Sequence, residues 1–181
     1  MKEKGHKNII DELSVAHNTE IDGYFYYTAA ADVVGDEKGK DVFKHLAEDE
    51  LEHIKAIAAI AEAVKSGMGW ISYEEALKRG TLSGEGGAPI FPKQNELIKR
   101  LRKNQTDLNA IGIGIEAEEN AVEFYGGMLG RAETPVEKVV LTNILEMEKG
   151  HLKMLRWERE SLIKTGFWCG TMEYSVEKEA D

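Results

Sequence analysis

Two Glu-x-x-His segments stand out in this sequence, Glu50 to His53 in EDELEHI and Glu148 to His151 in EMEKGHL. In each segment the i, i+3 spacing places the carboxylate and the imidazole on one face of a helix. Both groups are ligands for divalent metals. Each segment also lies in an apolar helical pattern that turns this face towards a core. The pattern therefore indicates chemistry at a buried metal ion.

The two segments belong to an internal repeat. A shift of 98 residues relates four pairs of side chains, which are Glu20 and Glu118, Tyr27 and Tyr125, Glu50 and Glu148, and His53 and His151. In both halves a core-facing Glu precedes the Glu-x-x-His segment by 30 residues. A Tyr follows that first Glu after seven residues, which is two helical turns.

Four core carboxylates are costly to bury unless they are paired or bind metal. Two divalent cations would balance their four negative charges, and two neutral imidazoles would complete the coordination. We therefore predict a two-metal site in which one Glu of each pair bridges the ions. The predicted ligands are Glu20, Glu50, His53, Glu118, Glu148 and His151.

Four long helical stretches must position these ligands. Apolar residues recur at three-four spacing over about residues 7–34, 40–65 and 93–130, and again from a Thr134 to Glu137 capping box to Gly166. Gly35 and Gly39 are expected to break the first stretch, and Gly67 and Gly69 the second. Four amphipathic helices predict an all-α four-helix bundle.

The lengths of the connections predict how the helices are arranged. The short links within each half predict two antiparallel helix hairpins. Residues 66–92 are long enough for one crossover along the bundle, with a short helix from Ser72 to Arg79 that begins at a capping box. We expect one domain over residues 1–166 and an acidic C-terminal tail over residues 167–181, whose end is interpreted as disordered.

Composition excludes several classes of protein. A net charge of −10 argues against nucleic acid or an anionic membrane as a partner. The polar N-terminus does not resemble a signal peptide, and no apolar run is long enough to span a bilayer, so we expect a cytoplasmic protein. The single cysteine, Cys169, excludes an internal disulfide or a Cys-x-x-Cys metal site in these 181 residues, and we interpret it as a packing residue.

The ligand on the third helical stretch must be chosen among three neighbouring glutamates. Glu118 is the one that satisfies both the 98-residue shift and the apolar stripe of Leu108 and Ile111. Glu116 lies about 200° away around the helix and should be solvated, while Glu119, about 100° away, is a candidate for a supporting contact.

Several other polar residues receive weaker interpretations. His17 lies one turn before Glu20, and a core histidine is the favoured interpretation, with a metal ligand as the alternative. Gly112 and Gly114 precede Glu118 and are interpreted as permitting close helix approach. The acidic residues expected off the core face, and therefore solvated, are Glu48, Asp49, Glu52 and Glu146.

The chain resembles the ferritin-like superfamily, and within it the rubrerythrin-type proteins. The resemblance rests on the six ligand positions and on the phrase IEAEENAVEFY at residues 115–125. It implies two carboxylate-bridged iron ions, with manganese or zinc as alternatives, that react with hydrogen peroxide or dioxygen. It also suggests that Tyr27 and Tyr125 each donate a hydrogen bond to a ligating carboxylate, with aromatic packing as the alternative.

Two departures from this family bear on function. Typical rubrerythrins carry a rubredoxin domain with a four-cysteine iron site, which this sequence lacks, so the electron donor is expected to be a separate protein such as a rubredoxin. They also use a further Glu three residues after the third-helix ligand, where this chain has Ala121. The six-ligand set is in this respect more similar to bacterioferritin.

Three functional hypotheses follow. The first is a di-iron oxidoreductase that reduces peroxide or dioxygen, and the second is a ferritin-like protein that oxidises and stores iron. The third is a helical bundle with a non-catalytic metal. The stretch after Gly166 lacks a good amphipathic fifth helix of the kind that ferritin shells use, so we favour the first hypothesis and expect a homodimer.

Overall fold

Six helices make up the part of the chain that the computed structural model describes, which is residues 2–80 and 95–171, with side chains from residue 9 onwards. They are α1 Lys2–Val33, α2 Glu37–Lys65, α3 Tyr73–Arg79, α4 Glu96–Lys103, α5 Asp107–Arg131 and α6 Pro135–Thr165. Strands are absent from these residues. α1 packs against α2 and α5 against α6, and α1 also contacts α5. The predicted all-α bundle of two helix hairpins is therefore confirmed.

A capped turn connects the first pair of helices. The Asp36 carboxylate accepts hydrogen bonds from Lys38 N at 2.8 Å and Gly39 N at 3.4 Å, which starts α2 at Glu37. Gly39 therefore lies inside α2, and the prediction that it breaks the helix was wrong. Only glycine fits at this position, because a Cβ there would lie 2.4 Å from the Trp168 ring.

The third predicted stretch divides into two helices. α4 ends at Lys103, and Thr106 starts α5 by accepting a hydrogen bond from Asn109 N at 3.3 Å. The Asn109 side chain also donates to Asn104 O at 2.6 Å, which stabilises the turn between the helices. Leu108, which the predicted stripe placed on the core face, is 47% exposed, whereas Ile111 in the next turn of α5 is buried. α5 alone is the third helix of the bundle.

The crossover between the hairpins includes the predicted short helix, α3. Ser72 Oγ accepts from Glu75 N at 3.2 Å, which is one half of the predicted capping box. At the far end of the link, the buried Asn95 side chain donates to Asp22 O on α1 at 2.9 Å and starts α4. The connection is thus attached to the first hairpin before the second begins. Residues 81–94, which the prediction assigned mainly to the crossover, lie outside the described part.

The predicted start and end of α6 are confirmed. Thr134 and Glu137 form a complete capping box, and Gly166 ends the helix with a φ of 79°. Beyond Gly166, Trp168 is buried against Phe43 and donates from Nε1 to Asp107 Oδ2 at 2.8 Å. The division between domain and tail at residue 166 stays a prediction, and the acidic end from residue 172 lies outside the described residues.

Two apolar clusters fill the bundle, one towards each end. One contains Tyr27, Phe43, Ile111 and Leu155, and the other contains Leu13, Ile57, Tyr125 and Leu141. On each of the four long helices, the predicted ligands fall in sequence between residues of the two clusters. The core therefore positions a polar layer at its centre. In the described part of the chain, no helix has the length and apolar character needed to cross a membrane.

Candidate metal centre

The structure brings all six predicted ligands together in this polar layer. Their side chains come from α1, α2, α5 and α6, and each residue is at most 6% exposed. They are Glu20, Glu50, His53, Glu118, Glu148 and His151. Six such groups in one dry layer are compatible with a metal centre, since buried charges require compensation.

The six side chains form two overlapping groups, each of which could hold one ion. In each group, one ligand atom from every residue lies within 4.8 Å of the others. The His53 position comprises Glu20, Glu50, His53 and Glu148. The His151 position comprises Glu50, Glu118, Glu148 and His151. Glu50 and Glu148 belong to both, so their carboxylates are placed to bridge two ions, while the other four residues each serve one position.

Both imidazoles direct Nδ1 towards the carboxylates. His53 Nδ1 lies 3.1 Å from Glu148 Oε1 and 3.4 Å from Glu50 Oε2. His151 Nδ1 lies 3.6 Å from Glu148 Oε2 and 3.7 Å from Glu118 Oε1. The two rings stack with their centroids 5.6 Å apart and an angle of 28° between their planes. The repeat in the sequence is therefore also a repeat in space around the centre.

Several of these ligand atoms have no hydrogen-bond partner, which tests whether the site fits a metal. Among the described residues, the buried side-chain atoms that form no hydrogen bond of suitable angle, even where a neighbour is as close as the 3.1 Å between His53 Nδ1 and Glu148 Oε1, are Glu50 Oε2, His53 Nδ1, Glu118 Oε2, both Glu148 oxygens and His151 Nδ1. Folded proteins rarely leave buried polar atoms unsatisfied. Here every such atom belongs to the six residues and faces their common centre. Oxygen and nitrogen donors in this arrangement fit two divalent cations such as iron, manganese or zinc.

Burial and mutual charge shift the pKa values of the candidate ligands. Burial, followed by the charge of Glu20, raises the pKa of Glu50 well above its ordinary value. Burial and the charge of Glu148 do the same to the pKa of Glu118. Burial alone would lower the pKa of His53, but the surrounding carboxylates outweigh it and raise that pKa strongly. Burial and neighbouring carboxylates therefore oppose the charged forms of Glu50 and Glu118, and bound cations would favour those forms.

Tyr27 and Tyr125 connect the two hairpins across the centre. The Tyr27 hydroxyl on α1 donates to Glu118 Oε1 on α5, and the Tyr125 hydroxyl on α5 donates to Glu20 Oε1 on α1. The expected hydrogen bonds from tyrosine to carboxylate are therefore present. Burial and the nearby carboxylates raise the pKa of both hydroxyls well above the ordinary value, so both stay protonated donors. Their part in catalysis stays a prediction.

The choice of Glu118 on the third bundle helix agrees with the structure. Glu116 is exposed and paired with Arg100 at 2.6 Å, as expected for a solvated residue. Glu119 is exposed and paired with Arg156 at 2.7 Å, so it makes no supporting contact to the centre. His17 is half-buried and lies outside both ligand groups, and burial lowers its pKa.

Sequence reasoning missed the role of Asp49. It was expected to be solvated, but its carboxylate lies 3.2 Å from His151 Nε2 and its side chain is only 34% exposed. The contact occurs because α2 presents the flank of its apolar stripe to α6. Its position next to the ligand Glu50 gave no signal by itself, because successive residues lie about 100° apart around a helix. The other three acidic residues predicted off the core face, Glu48, Glu52 and Glu146, are exposed as expected.

Two glycines make room for the centre. At Gly23, one turn after Glu20, an added Cβ would lie 3.2 Å from Glu50 Oε1. At Gly114 it would lie 3.4 Å from the Tyr27 ring, which agrees with the predicted close helix approach. No neighbour lies within 4 Å of the corresponding point at Gly112, so the same prediction fails there.

The sequence model of the rubrerythrin family matches residues 11–158, a range that contains all six candidate ligands and both tyrosines. No curated protein matches the chain significantly, and no solved structure does so.

Proposed function

The chain belongs to the rubrerythrin family, and on that premise we propose that it is a non-haem di-iron oxidoreductase that reduces hydrogen peroxide, or dioxygen, with electrons from an external donor. The observation that carries the proposal is the buried centre of four carboxylates and two imidazoles, with its unsatisfied ligand atoms. Two divalent cations would balance the four carboxylates, which leaves the centre nearly neutral.

In this proposal Glu50 and Glu148 would each help to hold both ions, because among the described residues they alone belong to both ligand groups. Glu20 and Glu118 each complete one position, and their hydrogen bonds from Tyr125 and Tyr27 hold them in place. When bound, the iron ions supply two electrons to the O–O bond of the oxidant.

The protein supplies protons and excludes solvent. Reduction of one peroxide to two waters consumes two electrons and two protons. The Tyr27 and Tyr125 hydroxyls are proposed to relay these protons through the ligating carboxylates that they touch, Glu118 and Glu20. The apolar clusters on both sides of the layer restrict water at the centre.

The remaining parts of the proposal concern the cell. We propose that the electron donor is a separate protein such as a rubredoxin. We place the protein in the cytoplasm as a homodimer that removes peroxide during oxidative stress. Nucleic acid and membrane are not expected partners of so acidic a chain.

Iron oxidation and storage is the second candidate. It is favoured by one observation, the small buried Ala121 where rubrerythrin-type proteins are expected to carry a further glutamate. The ligand set is then the six residues alone, as the resemblance to bacterioferritin implies.

Stopped-flow absorbance separates the two functions. The full chain is loaded with about two iron ions per chain, reduced anaerobically, and mixed with hydrogen peroxide or with equimolar dioxygen. We expect faster oxidation by peroxide, and continued turnover when a reductant is supplied. Faster oxidation by dioxygen, followed by accumulation of iron well beyond two ions per chain, would replace this proposal with storage.

A further inference from the structure

The outer sides of the two candidate histidine ligands have different neighbours. His151 Nε2, on the side away from the carboxylate cluster, lies 3.2 Å from Asp49 Oδ2 on α2 of the other hairpin. The His53 ring instead meets the Tyr73 ring edge to face, with centroids 6.4 Å apart. Within residues 9–80 and 95–171, the outer side of one imidazole is thus supported by a carboxylate and that of the other by aromatic packing.

The internal repeat explains why the support is one-sided. The 98-residue shift that relates the ligands carries Asp49 onto Met147. Met147 is a half-buried apolar residue that packs against the core and offers no anionic acceptor. The six ligands are therefore related by the repeat, whereas the support of the histidines is not.

A carboxylate behind a metal-bound histidine changes its properties as a ligand. If Asp49 accepts the Nε2 proton, His151 is held in the tautomer whose Nδ1 lone pair faces Glu118 and Glu148. The negative charge of Asp49 also makes His151 Nδ1 a stronger electron-pair donor to a metal ion. Loss of such a partner typically lowers metal affinity about 10–100-fold. His45 Nε2 also lies 3.5 Å from Asp49 Oδ2, but its side chain is 52% exposed and competes only weakly.

We propose that the two ion positions are inequivalent, and that Asp49 makes the His151 position the tighter one, so that it fills before the His53 position. Asp49 acts as a positioning residue, since it reaches the ion only through His151. The inference depends on the proposed two-metal centre and assigns an order of loading to it.

Cobalt titration of the metal-free full chain tests this order. Anaerobic Co²⁺ binding, followed by visible absorbance against a competing chelator, should show two steps of different affinity. Asp49→Ala should lower the affinity of the first step about 10–100-fold and bring the two steps together. Asp49→Asn keeps an acceptor oxygen without the charge and should give an intermediate value. Glu48→Ala, at the exposed preceding position, is the matched control and should retain both steps.

A spectroscopic signature separates positioning from a general loss of structure. With one Co²⁺ bound, the His151 Nε2 proton should give a paramagnetically shifted NMR signal that exchanges slowly with water, because Asp49 holds it. Asp49→Ala should remove this signal, while circular dichroism stays unchanged.

The outcomes distinguish this inference from the function on which it rests. Equal affinity of the two positions in the original protein, or an Asp49→Ala variant with unaltered first-step affinity and NMR signal, overturns the inference alone. Failure of the original protein to bind Co²⁺ at all overturns both the inference and the proposed two-metal function.

Discussion

A carboxylate buried at a candidate metal centre can be better suited to a bound cation than to the stability of the metal-free fold. Glu50 illustrates this, because burial and then the charge of Glu20 raise its pKa well above its ordinary value. At neutral pH the metal-free fold must either protonate this residue or keep its charge close to other carboxylates, and both options have a cost in free energy. A neutral side chain of the same shape avoids that cost but is a much poorer metal ligand.

Glu50→Gln should therefore change stability in opposite directions with and without metal. In chelator the variant should unfold at a higher temperature than the original protein, with a gain of roughly 0.5–2 kcal/mol. With metal it should unfold at a lower temperature and bind fewer than two ions, since a shared ligand is lost. Thermal unfolding and metal analysis measure both effects.

Glu48→Gln is the matched control for this prediction. It makes the same chemical change two residues away at an exposed position, and it should alter neither measurement. A Glu50→Gln variant with full metal content and the same two melting temperatures would contradict the assignment of Glu50 as a bridging ligand.

At the scale of the helices, small residues determine how closely one helix can approach a metal-ligating side chain of another. Gly23 on α1 faces the Glu50 carboxylate of α2, and an added Cβ would lie 3.2 Å from its Oε1 atom. Such a contact is tight enough to require a shift of a few tenths of an ångström. A carboxylate end can move that far, but a bridging ligand cannot do so without disturbing its ions.

Gly23→Ala should therefore weaken metal binding while the fold is retained. Helix propensity alone would stabilise α1 by about 0.5–1 kcal/mol, so the metal-free protein should melt no lower than the original. Gly112→Ala on α5 is the control, because no atom lies within 4 Å of its added Cβ. The control should gain the same stability and bind metal normally. Calorimetric titration with Zn²⁺ compares the two, and equal affinities would argue against a steric role for Gly23.

Helical periodicity located most of the centre from the sequence, for reasons that also explain its failures. It selects Glu118 over Glu116 because a ligand must share a face with the buried residues of its own helix. It misses Asp49 because that contact depends on where α6 lies, which the period of α2 does not encode. Periodicity also predicted one continuous third helix through residues 104–106. The chain leaves the helix there, because the Thr106 side chain caps the start of α5.

At the scale of the whole molecule, the protons of the empty centre couple its stability to pH. The pKa values of His53 and His151 are raised well above their ordinary 6.5, because the carboxylates around them outweigh burial. A raised folded-state pKa contributes stability that is complete below the unfolded value and is lost as pH rises towards the folded value. The pKa values of Glu50 and Glu118 are raised above their ordinary 4.5, so these residues also make the folded state less stable as pH rises above that value.

We expect the metal-free protein to lose stability as pH rises from about 6.5, while the metal-loaded protein does not. Metal binding requires deprotonated ligands, so affinity increases over the same range. The difference in melting temperature between the two forms should therefore widen from pH 6 to pH 9, which differential scanning calorimetry measures directly. A constant or narrowing difference would contradict the proton retention inferred for the empty centre.

The residues after α6 also contribute to the stability of the bundle. Trp168 is buried against Phe43 and hydrogen-bonded to Asp107, and Phe43 in turn stacks on Tyr27. Trp168→Ala should lower the free energy of unfolding by about 3–5 kcal/mol, as expected for loss of a buried aromatic side chain. Phe167→Ala, at a neighbouring residue that is 71% exposed, should change it by less than about 0.5 kcal/mol. Urea denaturation compares them, and similar midpoints would show that Trp168 adds no stability.

The reciprocal hydrogen bonds of Tyr27 and Tyr125 make each hairpin the complement of the other. Tyr27 of the first hairpin donates a hydrogen bond to Glu118 of the second, and Tyr125 of the second donates one to Glu20 of the first. This exchange has the pattern of a twofold symmetric dimer in which both subunits occur in one chain. Fusion into one chain frees the two copies to differ, as Asp49 and Met147 do, whereas identical subunits would be forced to change together.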